Sequence, residues 1–486
     1  MKNKKNENND ILSQKPSVNK DSERKTILSI VYIFVGLFVL MMGYFAYFLL
    51  VKSDDVINST YNLRHDVLAK RVVRGKIMSA DGKVLAETII DNDENEIRSY
   101  PYGDMYAHLV GRVMRGRTGI EEVENITLLT SYSNSAEAMY NDIVGVKNPG
   151  NNVVSTLNHK LTQVAYDALG NDWGAVVAIE PKTGKILAMV SKPSYDPNDI
   201  DDNWEKLSED KDNESPLLSR ASQGLYPPGS TFKIITALAY IRANPNYMDY
   251  SYKCNGSTEY EGMTINCSNK KAHGNVDLKE AFAKSCNTAF STIGKDILIN
   301  DFRSLSESFF FNQPLPARIA NYPSSFLLKV GESGVKETMQ TAIGQGRTLI
   351  SPLHNAMIAA AVANGGVIMK PYAIDRIESA GGRVLKGYIP EEAAVAMTSK
   401  EADYLKSMMR SVVTDGTASR LKNFDYKIAG KTGTAEQEGK DSHAWFIGFA
   451  PANDPKIAIS VIVENKGSGS EYALPIAGKV FDAYFN

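Results

Sequence analysis

A serine is a weak nucleophile at neutral pH, and three clusters in this sequence carry what would change that. In LYPPGSTFK (225–233), Ser230 precedes Lys233 by three residues. Two prolines and a glycine cannot continue a helix backward, whereas FKIITALAYIRA reads as an apolar helix, so Ser230 belongs to its first turn. Positions three apart share a helix face, which brings the Lys233 amine towards the Ser230 hydroxyl. A desolvated lysine gives up its proton near neutrality and can then accept the serine's. The N–H groups of a helix start suit the oxyanion that such an attack creates. The stiff lead-in thus fixes where the helix begins, and hence where Ser230 points.

Spacing alone carries little weight, because Ser-x-x-Lys also occurs at Ser17, Ser22, Ser208, Ser268 and Ser333. Two further clusters change that. Ser285-Cys286-Asn287 supplies a second hydroxyl for proton transfer and an amide able to orient an acyl substrate. Lys431-Thr432-Gly433-Thr434 lies on what reads as an edge strand. There Lys431 can hold a carboxylate or tune the local field, Gly433 lets a substrate backbone come close, and an extended peptide can pair with the free edge. A second Lys-Thr-Gly, residues 182–184, falls at a hairpin turn and is read as a turn only.

The elements that must position these groups begin near Asn152. VVSTLNHKLTQVAYDALG predicts a strand and then an amphipathic helix with Leu161, Val164, Ala165 and Leu169 on one stripe. WGAVVAIEPKTGKILAMVS predicts a hairpin turning at 181–185. Helical stretches at 231–243, 277–298 and 352–364 follow, before the strands KIAGKTGTAE, HAWFIGFAP and KIAISVIVEN, with 467–470 as a flexible hairpin loop. Helical material between two groups of strands predicts an α+β fold, an antiparallel sheet packed by helices. Upstream, residues 52–151 read as a smaller β-rich region. Its segment RGKIMSADGKVLAE (74–87) forms a hairpin around Asp81-Gly82, and its polar end runs to a Pro-Gly boundary near 150.

Thr26 to Val51 contains no charged residue and exceeds the roughly 20 residues that cross a bilayer core. Lys52, Asp54 and Asp55 follow directly, which favours a retained anchor over a cleaved signal. Residues 1–25 carry seven Lys or Arg against four acids, so the positive-inside rule leaves this tail in the cytoplasm and the remainder outside. The expected division is a disordered tail 1–25, a transmembrane helix 26–51, a membrane-proximal pedestal 52–151 and a catalytic domain 152–486. A formal net charge of −2 gives no basic footprint for nucleic acid. Of three cysteines, Cys254 and Cys267 suit a disulfide, free thiols or, with His273, a metal. The spacing matches no standard zinc pattern and no fourth ligand stands out, so no metal is assigned. Cys286 reads as a packing residue and His443 as structural or, close to the Lys431 strand, as part of the site's rim.

YPPGSTFK, HGNVDLKEAFAKSCNTAF, IGQGRTLISPLHNAMIAAAVANGG, GKTGTAE and AWFIGFAP together resemble the signatures of class B penicillin-binding proteins, the monofunctional D,D-transpeptidases of cell-wall synthesis. RGKIMSADGKVLAE, with GRTGIE (116–121), is similar to that family's pedestal. The resemblance spans roughly residues 26–486 and implies the penicillin-binding transpeptidase fold, shared with serine β-lactamases. It further implies Ser230 as the acylated nucleophile, Lys233 as its base, and Ser285 with Asn287 as shuttle and orienting pair. Lys431 and Thr432 would contact the substrate carboxylate, and the N–H groups of Ser230 and Thr434 would form the oxyanion hole. Stem peptides ending in D-Ala-D-Ala are the implied substrates, β-lactams the implied trapping agents, and a SEDS-type glycosyltransferase the implied membrane partner, with Gly36 and Gly43 on one helix face. No cofactor is implied. A class A enzyme would need a glycosyltransferase domain for which the segment between Lys52 and Asn152 leaves no room. A β-lactamase would need neither tether nor pedestal, and a β-lactam sensor would need a signalling domain that the tail cannot hold. A D,D-carboxypeptidase uses the same residues and differs only in its product.

Overall fold

The computed structural model describes residues 20–52, 64–93, 95–132, 135–211, 213–437 and 439–486; the expected disordered tail lies, through residue 19, outside the described residues. The chain divides into two units, Met1–Leu63 and Arg64–Asn486. In the first, the helix Lys20–Tyr47 runs on into a π-helical turn, Phe48–Lys52. Its large apolar side chains from Ile27 to Val51, Phe48 excepted, are exposed. Among the described residues this is the one helix long and apolar enough to cross a membrane. A Cβ added at Gly36 or Gly43 would meet nothing within 4 Å.

In the second unit a five-stranded antiparallel sheet runs in the order Ala429–Gln437, Lys440–Ala450, Ile457–Val463, Gly174–Ile179, Ile186–Lys192. Ile457–Val463 and Gly174–Ile179 are buried at every position. Such strands must be covered on both faces, which is why they read as continuous apolar runs rather than alternating ones. Pro352–Ala363, buried at all its positions, and the terminal helix Ala473–Phe485 pack against Ile457–Val463. The fold is α+β as expected. The helix His159–Leu169 buries Leu161, Ala165 and Leu169, with Val164 at its margin.

A second, six-stranded sheet runs Val384–Gly387, Ile374–Glu378, Asn152–Ser155, Ile77–Met78, Val84–Ile90, Glu96–Ser99. Asn152–Ser155 pairs in parallel with Ile77–Met78 and antiparallel with Ile374–Glu378, so one short strand joins the N-terminal strands to the rest. Gly82 turns the 74–87 hairpin at φ +81. The RGK and GRTGIE segments meet inside this region. The buried Glu121 carboxylate accepts from Arg74 Nε and Arg98 Nε, both at 2.7 Å. Burial pushes that carboxyl up, and the two arginines more than reverse the effect, leaving it below the ordinary range.

Two expectations are corrected. The stretch 277–298 is not one helix but two, Leu278–Ala283 and Asn287–Asp296, broken where Ser285 takes φ +54. Residues 467–470 join the strand Ile457–Val463 to the helix Ala473–Phe485 rather than closing a hairpin.

Candidate active site

The Ser230 turn is fixed from several sides. Gly229–Phe232 forms a 3-10 turn that passes into the helix Lys233–Ala243. In such a turn residues i and i+3 are eclipsed, so Ser230 and Lys233 face the same way. Pro227 O accepts from Trp445 Nε1 at 3.0 Å, and Pro228 O from Thr231 Oγ1 at 2.8 Å. Gly229 has φ +52, and a Cβ there would stand 2.5 Å from Thr434 O. Only glycine lets this turn touch the edge strand. Behind it Phe232 packs among Phe302, Phe311 and Phe326.

Lys233 and Lys431, both fully buried, converge on Ser285. Lys233 Nζ donates to Asn287 Oδ1 at 2.7 Å and to Ser285 O at 2.9 Å, and lies 3.3 Å from Ser285 Oγ. Lys431 Nζ reaches the same Oγ at 2.8 Å and Thr432 O at 2.9 Å. Each amine also sits over a phenyl ring, Phe290 and Phe282 respectively. Burial pushes Lys233 down to about 7, against a smaller opposing pull from Cys286 and Cys267. Burial likewise pushes Lys431 well down, and the charge of Lys233 adds to the effect. Two ammonium groups sharing one hydroxyl repel, so the pair holds one proton more readily than two.

The break at Ser285 explains this convergence. A continuous helix would carry Ser285 past the amines, whereas its left-handed conformation swings the hydroxyl between them. Asn287 is tied down in turn, its Nδ2 donating to Asn266 O at 2.9 Å.

Lys431 to Thr434 lie on the edge strand Ala429–Gln437, in register with Ile447 to Ala444 of Lys440–Ala450. A Cβ at Gly433 would press on Trp445 Cβ at 2.9 Å, Thr231 Cγ2 at 3.0 Å and Pro228 O at 3.2 Å. The glycine at 433 is therefore required by the packing of the Ser230 turn, a reason the sequence did not reveal. Ser230, Ser285, Asn287, Thr432, Gly433 and Thr434 all line one cleft of about 960 Å³. The structure thus brings six of the eight site residues expected from the sequence to this cleft, and the other two, the buried Lys233 and Lys431, into contact with Ser285. Lys182-Thr183-Gly184 forms the turn between Gly174–Ile179 and Ile186–Lys192, remote in register from the edge strand.

Sequence reasoning missed Thr417, whose Oγ1 lies 2.5 Å from Thr432 Oγ1 and which lines the cleft beside Asp415 and Gly416. No local pattern marks it, because it follows the helix Ser399–Thr414 as ordinary loop. None of the three cysteines is joined in a disulfide. Cys286, read as a packing residue, lies 3.7 Å from Cys267.

A serine on a 3-10 turn, two buried amines on a second serine and an edge strand beside an open cleft define a serine acyl-transfer site. Residues 174–485 match the penicillin binding protein transpeptidase domain, and residues 74–153 the penicillin binding protein A dimerisation domain. The chain belongs to the penicillin-binding transpeptidase family. It is 35% identical to peptidoglycan D,D-transpeptidase PbpA of Mycolicibacterium smegmatis, over 83% of this chain and 87% of that protein. The ceftriaxone acyl-enzyme complex of penicillin-binding protein A from M. tuberculosis superposes with a TM-score of 0.78 at 31% identity, covering 87% of this chain and 100% of the other. The D,D-transpeptidase domain of a peptidoglycan glycosyltransferase from Eggerthella lenta gives 0.77 at 31% identity, covering 85% and 98%.

Proposed function

We infer that this chain is a peptidoglycan D,D-transpeptidase that crosslinks stem peptides through an acyl-enzyme on Ser230 and is acylated there by β-lactams. The observation that carries the reading is the convergence of Lys233 and Lys431 on Ser285 Oγ, two positions from the Asn287 contact of Lys233, in the cleft that Ser230 lines. Ser230 Oγ attacks the carbonyl carbon of the penultimate D-Ala, and its proton passes to neutral Lys233 Nζ. The N–H groups of Ser230 and Thr434 receive the oxyanion, a role supported by the contact of Gly229 with Thr434. As the peptide C–N bond breaks, the proton returns through Ser285 to the leaving D-Ala amine. An acceptor amine then attacks the ester carbon, and as the C–Oγ bond breaks its proton passes by way of Ser285 and Lys233 to Ser230 Oγ, which restores the free serine. Asn287 orients the acyl amide, Lys431 and Thr432 hold the terminal carboxylate, and Gly433 and Thr434 line the edge along which the donor peptide lies.

The same reading divides the chain into a cytoplasmic tail 1–25, a transmembrane helix 26–51, a pedestal 52–151 and the transpeptidase domain 152–486. The catalytic part then faces the outside of the cell membrane, and a SEDS-type glycosyltransferase supplies the glycan strand. Intact mass after penicillin treatment tests the nucleophile. One slowly lost adduct is expected on the wild-type chain and none on Ser230→Ala; labelling that persists in the variant refutes the assignment. Released D-Ala with a crosslinked product marks a transpeptidase, and released D-Ala alone a carboxypeptidase.

A further inference from the structure

Beneath the Ser285 turn, three thiols and an imidazole from four separate segments meet. Cys254 ends the strand Tyr252–Cys254, and Cys267 follows the strand Met263–Asn266. His273 precedes the strand Gly274–Val276, and Cys286 is the N-cap of the helix Asn287–Asp296. Their ligand atoms all lie within 4.8 Å of one another. Cys267 Sγ stands 3.7 Å from Cys254 Sγ and 3.7 Å from Cys286 Sγ, and Cys254 Sγ stands 3.4 Å from His273 Nδ1. Tetrahedral zinc, with Zn–S of about 2.3 Å and Zn–N of about 2.0 Å, sets ligand edges of about 3.8 Å between sulfurs and about 3.6 Å from sulfur to nitrogen.

We propose that Cys254, Cys267, His273 and Cys286 bind one Zn²⁺ in a closed, structural site, and that this ion holds the Ser285-Cys286-Asn287 turn in place. A disulfide fits less well, because Cys267 is equally far from both other sulfurs and any pairing strands a third. Three soft thiolates and one imidazole in a compact tetrahedron select zinc over the oxygen-seeking cations. On binding, each thiol releases its proton, so three thiolates and Zn²⁺ leave the site with one net negative charge. Its surroundings accept that charge. The Thr288 hydroxyl lies 3.2 Å from Cys254 Sγ and 3.3 Å from Cys286 Sγ, and the positive end of the helix Asn287–Asp296 faces the cluster.

The ion would act on the cleft through two of its ligands' neighbours. Cys286 separates Ser285 from Asn287, the two residues that meet Lys233, and it follows directly on a backbone state that serine avoids. Cys267 and His273 bracket residues 268–272, which form a wall of the same cleft. One ion therefore crosslinks that wall to the turn. This positioning role rests on the parts assigned above to Ser285 and Asn287, whereas the site itself does not.

The test uses the full-length chain purified in detergent without chelators. Elemental analysis is expected to find about one zinc per chain, and Co²⁺ substitution to give the absorption bands of a tetrahedral thiolate site. Cys254→Ser and His273→Ala are each expected to lower the zinc content several-fold. Stripping the wild-type protein with a strong chelator is expected to slow acylation by a fluorescent penicillin at least tenfold, and added Zn²⁺ to restore it. Wild-type protein that lacks zinc and shows three freely reactive thiols, or a Cys254–Cys267 disulfide by mass, overturns the site. A full zinc complement with acylation unchanged on stripping overturns the positioning role. Zinc-replete protein that penicillin never acylates would instead refute the transpeptidase reading and leave the metal site standing.

Discussion

Pro227, Pro228 and Gly229 shape the Ser230 turn from within, whereas Lys284-Ser285-Cys286 contains neither proline nor glycine and still holds Ser285 at φ +54. The first turn has its conformation written into its own residue types. The second is held by groups distant in the chain: Lys233 at the Ser285 carbonyl, Lys431 at its hydroxyl, and Asn266 at Asn287. A left-handed serine costs on the order of 1 kcal/mol, and it persists where its neighbours over-determine it. The Ser230 turn thus draws on its own residue types as well as on distant contacts such as that of Pro227 with Trp445, while the Ser285 turn rests on distant contacts alone.

The largest effect is expected where both turns share a group. Lys233→Ala removes the amine proposed as the base for Ser230, which also donates to the Ser285 carbonyl. Penicillin acylation followed by stopped flow should slow by about 10²–10⁴-fold. A loss under tenfold would show that Lys233 is not the base.

Ser285→Ala and Ser285→Gly separate hydroxyl from backbone. Both remove the group between the two lysines, so both should slow acylation by about 10²-fold. Glycine, free to adopt positive φ, should unfold later than alanine by about 1 kcal/mol. Equal stability of the two variants would mean that the turn is not strained.

The wild-type pH profile sharpens the same contrast. Lys233 is pushed down to about 7 by burial, with Lys431 beside Ser285 and the sulfurs of Cys286 and Cys267 as its facing groups. The neutral amine is the reactive form, so acylation should rise about tenfold per pH unit below 7 and level off above it. A rate that continues to rise to pH 10 would place the base's proton affinity at that of an exposed lysine.

The smallest effects concern the Ser230 turn itself. Gly229→Ala sets a Cβ against Thr434 O and forces alanine to positive φ, at about 1–3 kcal/mol in denaturant unfolding. Pro228→Ala should cost only about 0.4–1 kcal/mol, through the freedom it returns to the unfolded chain. A reversed order would mean that the prolines, and not the glycine contact, set the turn.

Much of this was open to sequence reading. The three-residue step from Ser230 to Lys233, the hairpins around Gly82 and Gly184, the apolar strands and the uncharged run from Thr26 to Val51 are all local patterns. Each follows from the geometry of one helix turn, one reverse turn or one strand, which neighbouring residues settle among themselves. The break at Ser285, the pairing of Thr417 with Thr432 and the meeting of Cys286 with Cys254, Cys267 and His273 left no such trace. Each depends on partners brought together from different elements.

What the sequence by itself determined was the inventory: which side chains could attack, accept a proton or hold a carboxylate, and on what kind of element each would sit. Only the tertiary structure decided that Lys233 and Lys431 share one hydroxyl and that three sulfurs and an imidazole nitrogen come within 4.8 Å of one another. The reason is that removing an amine from water is the work of everything packed around it. No window of neighbouring residues contains Phe282, Phe290, Ser285 and Asn287 together with the two lysines they surround.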